Sequence, residues 1–168
     1  TLLFSVFSGF FGLGLGFGFW LGRRMSCMPD QWFWAVFVLV IQGTPIVVFL
    51  MILYYGIFGS ADISEILVAV IGFTINFAAY SSEMMRTGIE TVDKGQSEAA
   101  LAMGYTKSQT FFKIVLPQAA RNFIPVLKGE FISMVKMTSV VGYIAVQDLT
   151  KVSDIIRSRT MEAFFPLI

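Results

Sequence analysis

Histidine is absent from this 168-residue chain, and cysteine occurs once, at Cys27. An intramolecular disulfide and any Cys/His metal centre are thereby excluded. No nucleophile–base pair is left that would support an intramembrane enzyme. Cys27 reads as a passive small residue at a membrane edge. Charge is scarce too: 14% of residues are Asp, Glu, Lys or Arg, against about a quarter in a soluble domain. The G-x-x-x-x-G-K-[ST] phosphate loop is missing, so this chain does not bind nucleotide in that way. A net charge of +1 gives no reason to expect a nucleic-acid partner. Sustained alternation of polar and apolar residues is lacking, which argues against a β-barrel. The first apolar run is not a signal peptide, because Arg23 and Arg24 follow it rather than precede it.

What the chain has in abundance is apolar surface: 56% hydrophobic residues, 18 of them Phe. A membrane span needs about 20 mostly apolar residues. Four stretches qualify, at roughly 1–22, 32–58, 66–86 and 123–147. Isolated spans must satisfy their own backbone, so they are helices. Phe164-Phe165-Pro166-Leu167-Ile168 reads as the onset of another span, and Thr1 lies within an apolar run. The expected fold is all-α: one polytopic transmembrane domain over 1–168, a fragment with four helices and the start of a fifth.

Basic residues mark the cytoplasmic side. Arg23, Arg24, Lys94, Lys107, Lys113 and Arg121 fall in the connections 23–31 and 87–122. Lys151, Arg157 and Arg159 fall in 148–162, and 59–65 has none. The balance puts 87–122 in the cytoplasm. In the first helix, Gly12/Gly16 and Gly14/Gly18/Gly22 form i,i+4 stripes on nearly opposite faces. Such stripes let backbones approach closely, inside the subunit or between subunits; two of them suggest packing on both sides.

Residues 91–122 can neither span a bilayer nor build a core. Ser97 is the expected N-cap of a short helix with Glu98 in its first turn. Gly104 fits the left-handed position that ends it. Thr106-Lys-Ser-Gln109 has the form of a capping box opening a second short helix, which Pro117 ends or kinks. An exposed alanine face on the first helix suits docking into another protein; an amphipathic segment lying on lipid headgroups is the alternative.

Glu98, Ala99, Ala100, Gly104, Ile114, Leu116 and Pro117 match at every position the EAA loop of binding-protein-dependent ABC importer permeases. The chain resembles the polar amino acid (histidine/glutamine/arginine-type) branch over nearly its whole length. Gly43-Thr44-Pro45 with Tyr54-Tyr55-Gly56, then Asn76, Ala79, Tyr80, Glu83, Arg86 and Gly88, carry that likeness. So do Lys94-Gly95-Gln96, Phe131-Ile132-Ser133, Lys136, Thr138 and Ser139. The resemblance implies a multi-pass permease of the bacterial inner membrane that is not itself an enzyme. ATP and Mg would be bound by a cytoplasmic ABC ATPase, into which the loop docks; this chain would carry no cofactor. The implied partners are a solute-binding protein or fused domain outside the cell, a second permease copy or homologue forming a dimer, and the bilayer. A stand-alone ion-coupled secondary amino acid transporter is the rival reading, but it leaves the loop unexplained. The chain departs from the family pattern at Gln42 (usually Arg), Met137 (usually acidic) and Asp93 (commonly Pro); the last is expected to be silent.

Polar residues within spans are costly and mark pathways. Gln42, Thr44 and Pro45, then Asn76, then Lys136, Thr138 and Ser139, all fall near the midpoints of their expected helices. Broken helices at that depth are a transporter device, and Pro45 would free a carbonyl near Ile41. Lys136 either meets a substrate carboxylate or pairs with Glu130 or Glu83. Asn76 and Thr138 either line the path or bond between helices. Glu83/Arg86 and Lys128/Glu130 read as interfacial residues. Met137 in place of an acid favours a neutral or acidic amino acid over arginine or lysine.

Overall fold

The apolar runs fold as helices, and the computed structural model describes residues 2–25, 28–59, 63–139, 141 and 149–161. The order is α1 (Leu2–Met25), α2 (Met28–Gly43), α3 (Ile46–Met51) continued by a π turn (Ile52–Ile57), α4 (Glu65–Glu90), α5 (Lys94–Ala102), α6 (Lys107–Thr110) continued by a second π turn (Phe111–Val115), α7 (Leu116–Met137) and α8 (Leu149–Thr160). Among the described residues there is no strand, and the expected all-α membrane fold is found. Cys27 and the anticipated fifth span at 164–168 lie outside the described residues.

α4 is the axis of the molecule, and small residues let its neighbours close on it. A Cβ at Gly12 would lie 2.8 Å from Phe77 Cδ1 and 3.1 Å from the Thr74 carbonyl; one at Gly16 would collide with Ser81 Oγ and lie 2.9 Å from the Ala78 carbonyl. Gly12 thus faces residues 74–77 and Gly16 faces 78–81, so α1 and α4 run parallel. On α4 itself, Gly88 faces Phe123 and Gly72 faces Leu50 and Leu53. Lipid tails are as apolar as Leu, so helix association rests on contacts of this closeness.

Of the two glycine stripes, Gly12/Gly16 packs on α4. Gly14 and Gly18 have nothing within 4 Å of a Cβ position, and only Gly22 on that stripe touches a neighbour, Trp34. Among the described residues the second stripe thus packs only at its Gly22 end, against Trp34 of α2.

The stretch 32–58 is not one straight span. Gln31–Gly43 and Ile46–Ile57 are separate rods bent by 107°. Pro45 stands at the break as the residue before α3. Because α1 and α4 are parallel, this bent pair must carry the chain back across the membrane. Antiparallel to α4, α7 packs Ala119 and Phe123 near Gly88, and Phe131 against Phe77 at 6.3 Å between ring centroids. Its residues Ala119, Phe123, Leu127, Phe131 and Met134 recur at helical spacing. The opposite side carries exposed Arg121, Lys128, Ile132 and Lys136, and α7 is not among the helices apolar enough to count as a span on composition. The fourth expected span, 123–147, also differs in bounds. Its α-helix starts seven residues earlier and ends at Met137, with Thr138 and Ser139 in a 3₁₀ turn; 140 and 142–148 lie outside the described residues.

Candidate functional site

The helix–turn–helix between α4 and α7 begins with Asp93. Its Oδ1 accepts from the Gly95 N–H at 2.9 Å, capping α5. Ser97 is not the N-cap, since Asp93 offers an equally good cap four residues earlier; Glu98 consequently lies beyond the first turn. Asp93 thus has a local capping role that a proline there, without a side-chain acceptor, would not supply. α5 ends in a Schellman motif: Tyr105 N–H donates to the Ala100 carbonyl at 3.2 Å and Gly104 N–H to the Leu101 carbonyl at 3.0 Å. Gly104 takes the φ of +89° that this motif reserves for glycine. The capping box forms as expected. Gln109 N–H donates to Thr106 Oγ1 at 3.3 Å, and Thr106 N–H to Gln109 Oε1 at 2.9 Å.

Pro117 neither ends nor visibly interrupts the second helix. The helical path runs from Lys107 to Met137, with Pro117 in the first turn of α7 directly after the π turn. A π turn shifts the bonding ladder by one residue. The proline's missing N–H and bulky ring therefore fall where the α ladder is already displaced.

The seven residues of the EAA pattern divide by exposure. Ala100 is buried, Ile114 and Leu116 are half-buried, and Glu98, Ala99, Gly104 and Pro117 are exposed. The alanine face is thus only half outward. The outward tip is instead apolar through Leu101, Met103 and Tyr105, with Met103 70% exposed. Sequence reasoning missed this tip; the large apolar residues flanking Gly104 were its signal. Behind the hairpin, Phe111 stacks on Trp20 of α1 at 5.4 Å and 15°. Asn122 Nδ2 donates to Thr91 Oγ1 at 2.8 Å. The segment is therefore tied to α1, α4 and α7 together.

A second polar group surrounds the break at Pro45. Gln42 Nε2 donates to the Ala79 carbonyl at 3.2 Å, and Tyr80 OH donates to the Gln42 carbonyl at 3.4 Å. Thr44 Oγ1 donates to the Val40 carbonyl at 2.7 Å. The Ile41 carbonyl is not left free for a solute, because Thr44 N–H reaches it at 3.3 Å in a tightened last turn. Asn76, one helical turn before Tyr80, is half-buried, and its amide has no hydrogen bond among the described residues. Tyr80 was missed as a site residue, although its i,i+4 spacing from Asn76 places both on one face.

Thr138 is buried and donates to the Val135 carbonyl at 2.6 Å; Ser139 is exposed and donates to the Lys136 carbonyl at 3.1 Å. Met134 and Val141, on either side of Thr138, pack in one core with Leu50, Ala69, Phe73 and Phe77. Gln42 and Thr44 sit beside the separate core of Val38, Ile41 and Ala79. The candidate path residues thus occupy neighbouring levels of α4, and no hydrogen bond among the described residues joins the Lys136 group to Gln42 or Asn76. Lys136 is exposed and forms no ion pair with Glu130 or Glu83 among the described residues. Glu83 is held instead by Arg86 Nε at 3.0 Å, and both oxygens of Glu90 accept from Arg86 Nη1 at 2.7 Å. No group of three or more metal-ligating side chains occurs among the described residues.

Residues 14–168 match the model of a family described as binding-protein-dependent transport system inner membrane component. The chain belongs to that family. This permease is similar to the L-cystine transport system permease protein of Bacillus subtilis, at 37% identity over 96% of this chain and 70% of that protein. It is similar to a putative glutamine transport system permease protein of Rickettsia felis, at 33% identity over 99% of this chain and 78% of that protein. The arginine transport system permease protein of Bacillus subtilis is 35% identical over 90% of this chain and 70% of its own length. Among solved structures, one described as the crystal structure of an amino acid ABC transporter with histidines matches 99% of this chain and 78% of that chain. The match has a TM-score of 0.90 at 34% identity. The permease thus shares its fold as well as its sequence with amino acid ABC transport proteins, and nothing supports a stand-alone secondary transporter.

Proposed function

We propose that this chain, a single permease domain, forms the translocation pathway of an ATP-driven importer in the bacterial inner membrane. It would receive a polar amino acid from an external solute-binding protein or fused domain. A second permease copy or homologue would complete the path, and ATP and Mg would be bound and turned over on a cytoplasmic ABC ATPase. The α5–α6 hairpin is the point at which that ATPase grips the permease. One observation carries this reading: all seven EAA positions are present, and their caps hold a hairpin whose tip exposes Glu98, Ala99, Leu101, Met103 and Tyr105. Ala100, Gly104, Ile114 and Leu116 shape the hairpin. Glu98 and Ala99 meet the partner, while Pro117 sets the start of α7.

The pathway candidates remain Gln42, Thr44, Pro45, Asn76, Lys136, Thr138 and Ser139, joined by Tyr80. Asn76, with an uncommitted amide beside the bent pair, is the strongest solute-facing group, since it can both donate and accept. Gln42, Thr44 and Thr138 are engaged with main-chain carbonyls and act by holding the frame. Met137 favours a neutral or acidic amino acid.

The test is uptake into vesicles holding the full-length permease, its ATPase and binding protein. Uptake should need ATP, and Glu98→Lys should lower it several-fold while the protein still inserts. Uptake driven by an ion gradient without ATP refutes the importer reading, and unaltered uptake in Glu98→Lys refutes the docking role. A strong preference for arginine over glutamine refutes only the specificity.

A further inference from the structure

The hairpin and the end of α4 border an open cavity of about 690 Å³ that the importer reading does not use. Ile89 and Phe111 form part of its apolar wall, and Lys94, Ser97, Lys107 and Thr110 supply its polar lining. Glu90 also borders it, but both oxygens of its carboxylate are taken by Arg86 Nη1. Arg86 shares its single charge between Glu90 and Glu83, so that carboxylate is only partly offset, and the two lysines still leave the lining a positive balance. Thr110 is only 4% exposed, and its Oγ1 has no hydrogen-bond partner among the described residues. A buried hydroxyl left unpaired is costly, and native structures rarely keep one without a ligand, water or ion to meet it.

A second cavity, of about 180 Å³, also borders Ile89. Phe17, Trp20 and Phe123 are among its lining residues, all of them apolar. Trp20 of this cavity stacks on Phe111 of the first. A cationic, hydroxyl-bearing space thus adjoins a dry one at the end of a membrane span. Free phosphate would use the first and gain nothing from the second. A phosphate carried on acyl chains would use both, and basic pockets between spans on the cytoplasmic side take anionic headgroups.

We propose that these adjoining cavities bind one anionic phospholipid, with its phosphate between Lys94 and Lys107 near the Thr110 hydroxyl and an acyl chain passing Ile89 to lie against Trp20. The cavity reaches the exposed tip of the hairpin at Leu101, which lines it, whereas Lys94, Lys107 and Thr110 are not tip residues.

Trp20 provides the reporter, because it is 6% exposed and shielded from bulk lipid. Full-length permease retaining Trp20 as its one tryptophan would be placed in phosphatidylcholine vesicles. Equal mole fractions of phosphatidylglycerol or phosphatidylcholine, each brominated on its acyl chains, would then be added, without ATP or amino acid. Brominated phosphatidylglycerol should quench Trp20 at far lower mole fraction. Lys94→Gln with Lys107→Gln should weaken that preference about thirty-fold, with far-ultraviolet circular dichroism unchanged. Lys128→Gln, an exposed lysine of α7 that does not line the cavity, should keep the preference. Equal quenching by the two lipids overturns the proposal, as does a preference that survives the double variant. Loss of preference in Lys128→Gln would mean general surface charge, and displacement by millimolar inorganic phosphate would mean a free-phosphate site; either result overturns it too.

Discussion

Two glycines on one helix should respond oppositely to the same added methyl group. Gly16 lies against α4, and its Cβ would collide with Ser81 Oγ and stand 2.9 Å from the Ala78 carbonyl oxygen. Ser81 is buried and bonded to the Ala78 carbonyl at 3.1 Å, so neither obstacle is a free side-chain end. Gly16→Ala forces α1 and α4 apart, and overpacking of this kind costs about 1–3 kcal/mol. For a chain of this size that is a fall in melting temperature of roughly 2–12 °C. Gly14→Ala adds a methyl group where nothing lies within 4 Å. It should be neutral or stabilising by about 0.5–1 kcal/mol, because alanine has less backbone freedom to lose on entering a helix than glycine has. Thermal unfolding in one detergent, followed by intrinsic fluorescence, compares them directly. Gly16→Ala with Ser81→Gly should recover part of the loss but not all, since the Ala78 carbonyl remains. Equal melting temperatures for Gly16→Ala and Gly14→Ala would refute the close, parallel packing of α1 on α4.

Thr106→Ala removes one half of the capping box and should cost about 1 kcal/mol locally. The Gln109 amide should then exchange its hydrogen about five times faster, while amides in the middle of α4 are unaffected; unchanged exchange at Gln109 argues against the cap. At the break, Gln42→Leu removes a donor to the Ala79 carbonyl, worth about 0.5–1.5 kcal/mol. Gln42→Glu points acceptor oxygens at that carbonyl and should lower the melting temperature further than Gln42→Leu. The reverse order would show that Gln42 does not hold α2 to α4.

The features legible in the sequence are those fixed by neighbours along the chain. Thr106 and Gln109 are three residues apart, and Gly104 meets the left-handed requirement at its own position. The apolar runs are long enough to identify α1 and α4 from composition alone. The cap falls at Asp93 rather than Ser97 because the two are equally good caps, and local chemistry does not rank them. Pro117 reads as a helix end because a π turn has no sequence signature; it is a displacement of the bonding ladder that the following proline accommodates. The bend at Pro45 is legible as a break, but its size depends on where α4 receives Leu50 and Leu53 at Gly72, a contact between residues far apart in sequence. The same holds for the stacking of Trp20 on Phe111. Of the candidate path, the polar residues are identifiable by their cost in lipid, whereas the commitment of Gln42, Thr44 and Thr138 to main-chain carbonyls is not.

The 107° elbow gives the chain mechanical gain. The rod Ile46–Ile57 has 12 residues, six in α3 and six in its π turn, and so extends about 18 Å from the corner. A rotation of about 10° at residues 43–45 would sweep its far end through roughly 3 Å, the width of a water molecule, on a rod of that length. The near side of the corner is anchored to α4 by Gln42 and Tyr80. The rod is itself seated on α4 where Leu50 and Leu53 meet Gly72, so such a rotation would have to slide that contact, and α4 and the rod are coupled at both ends of the elbow.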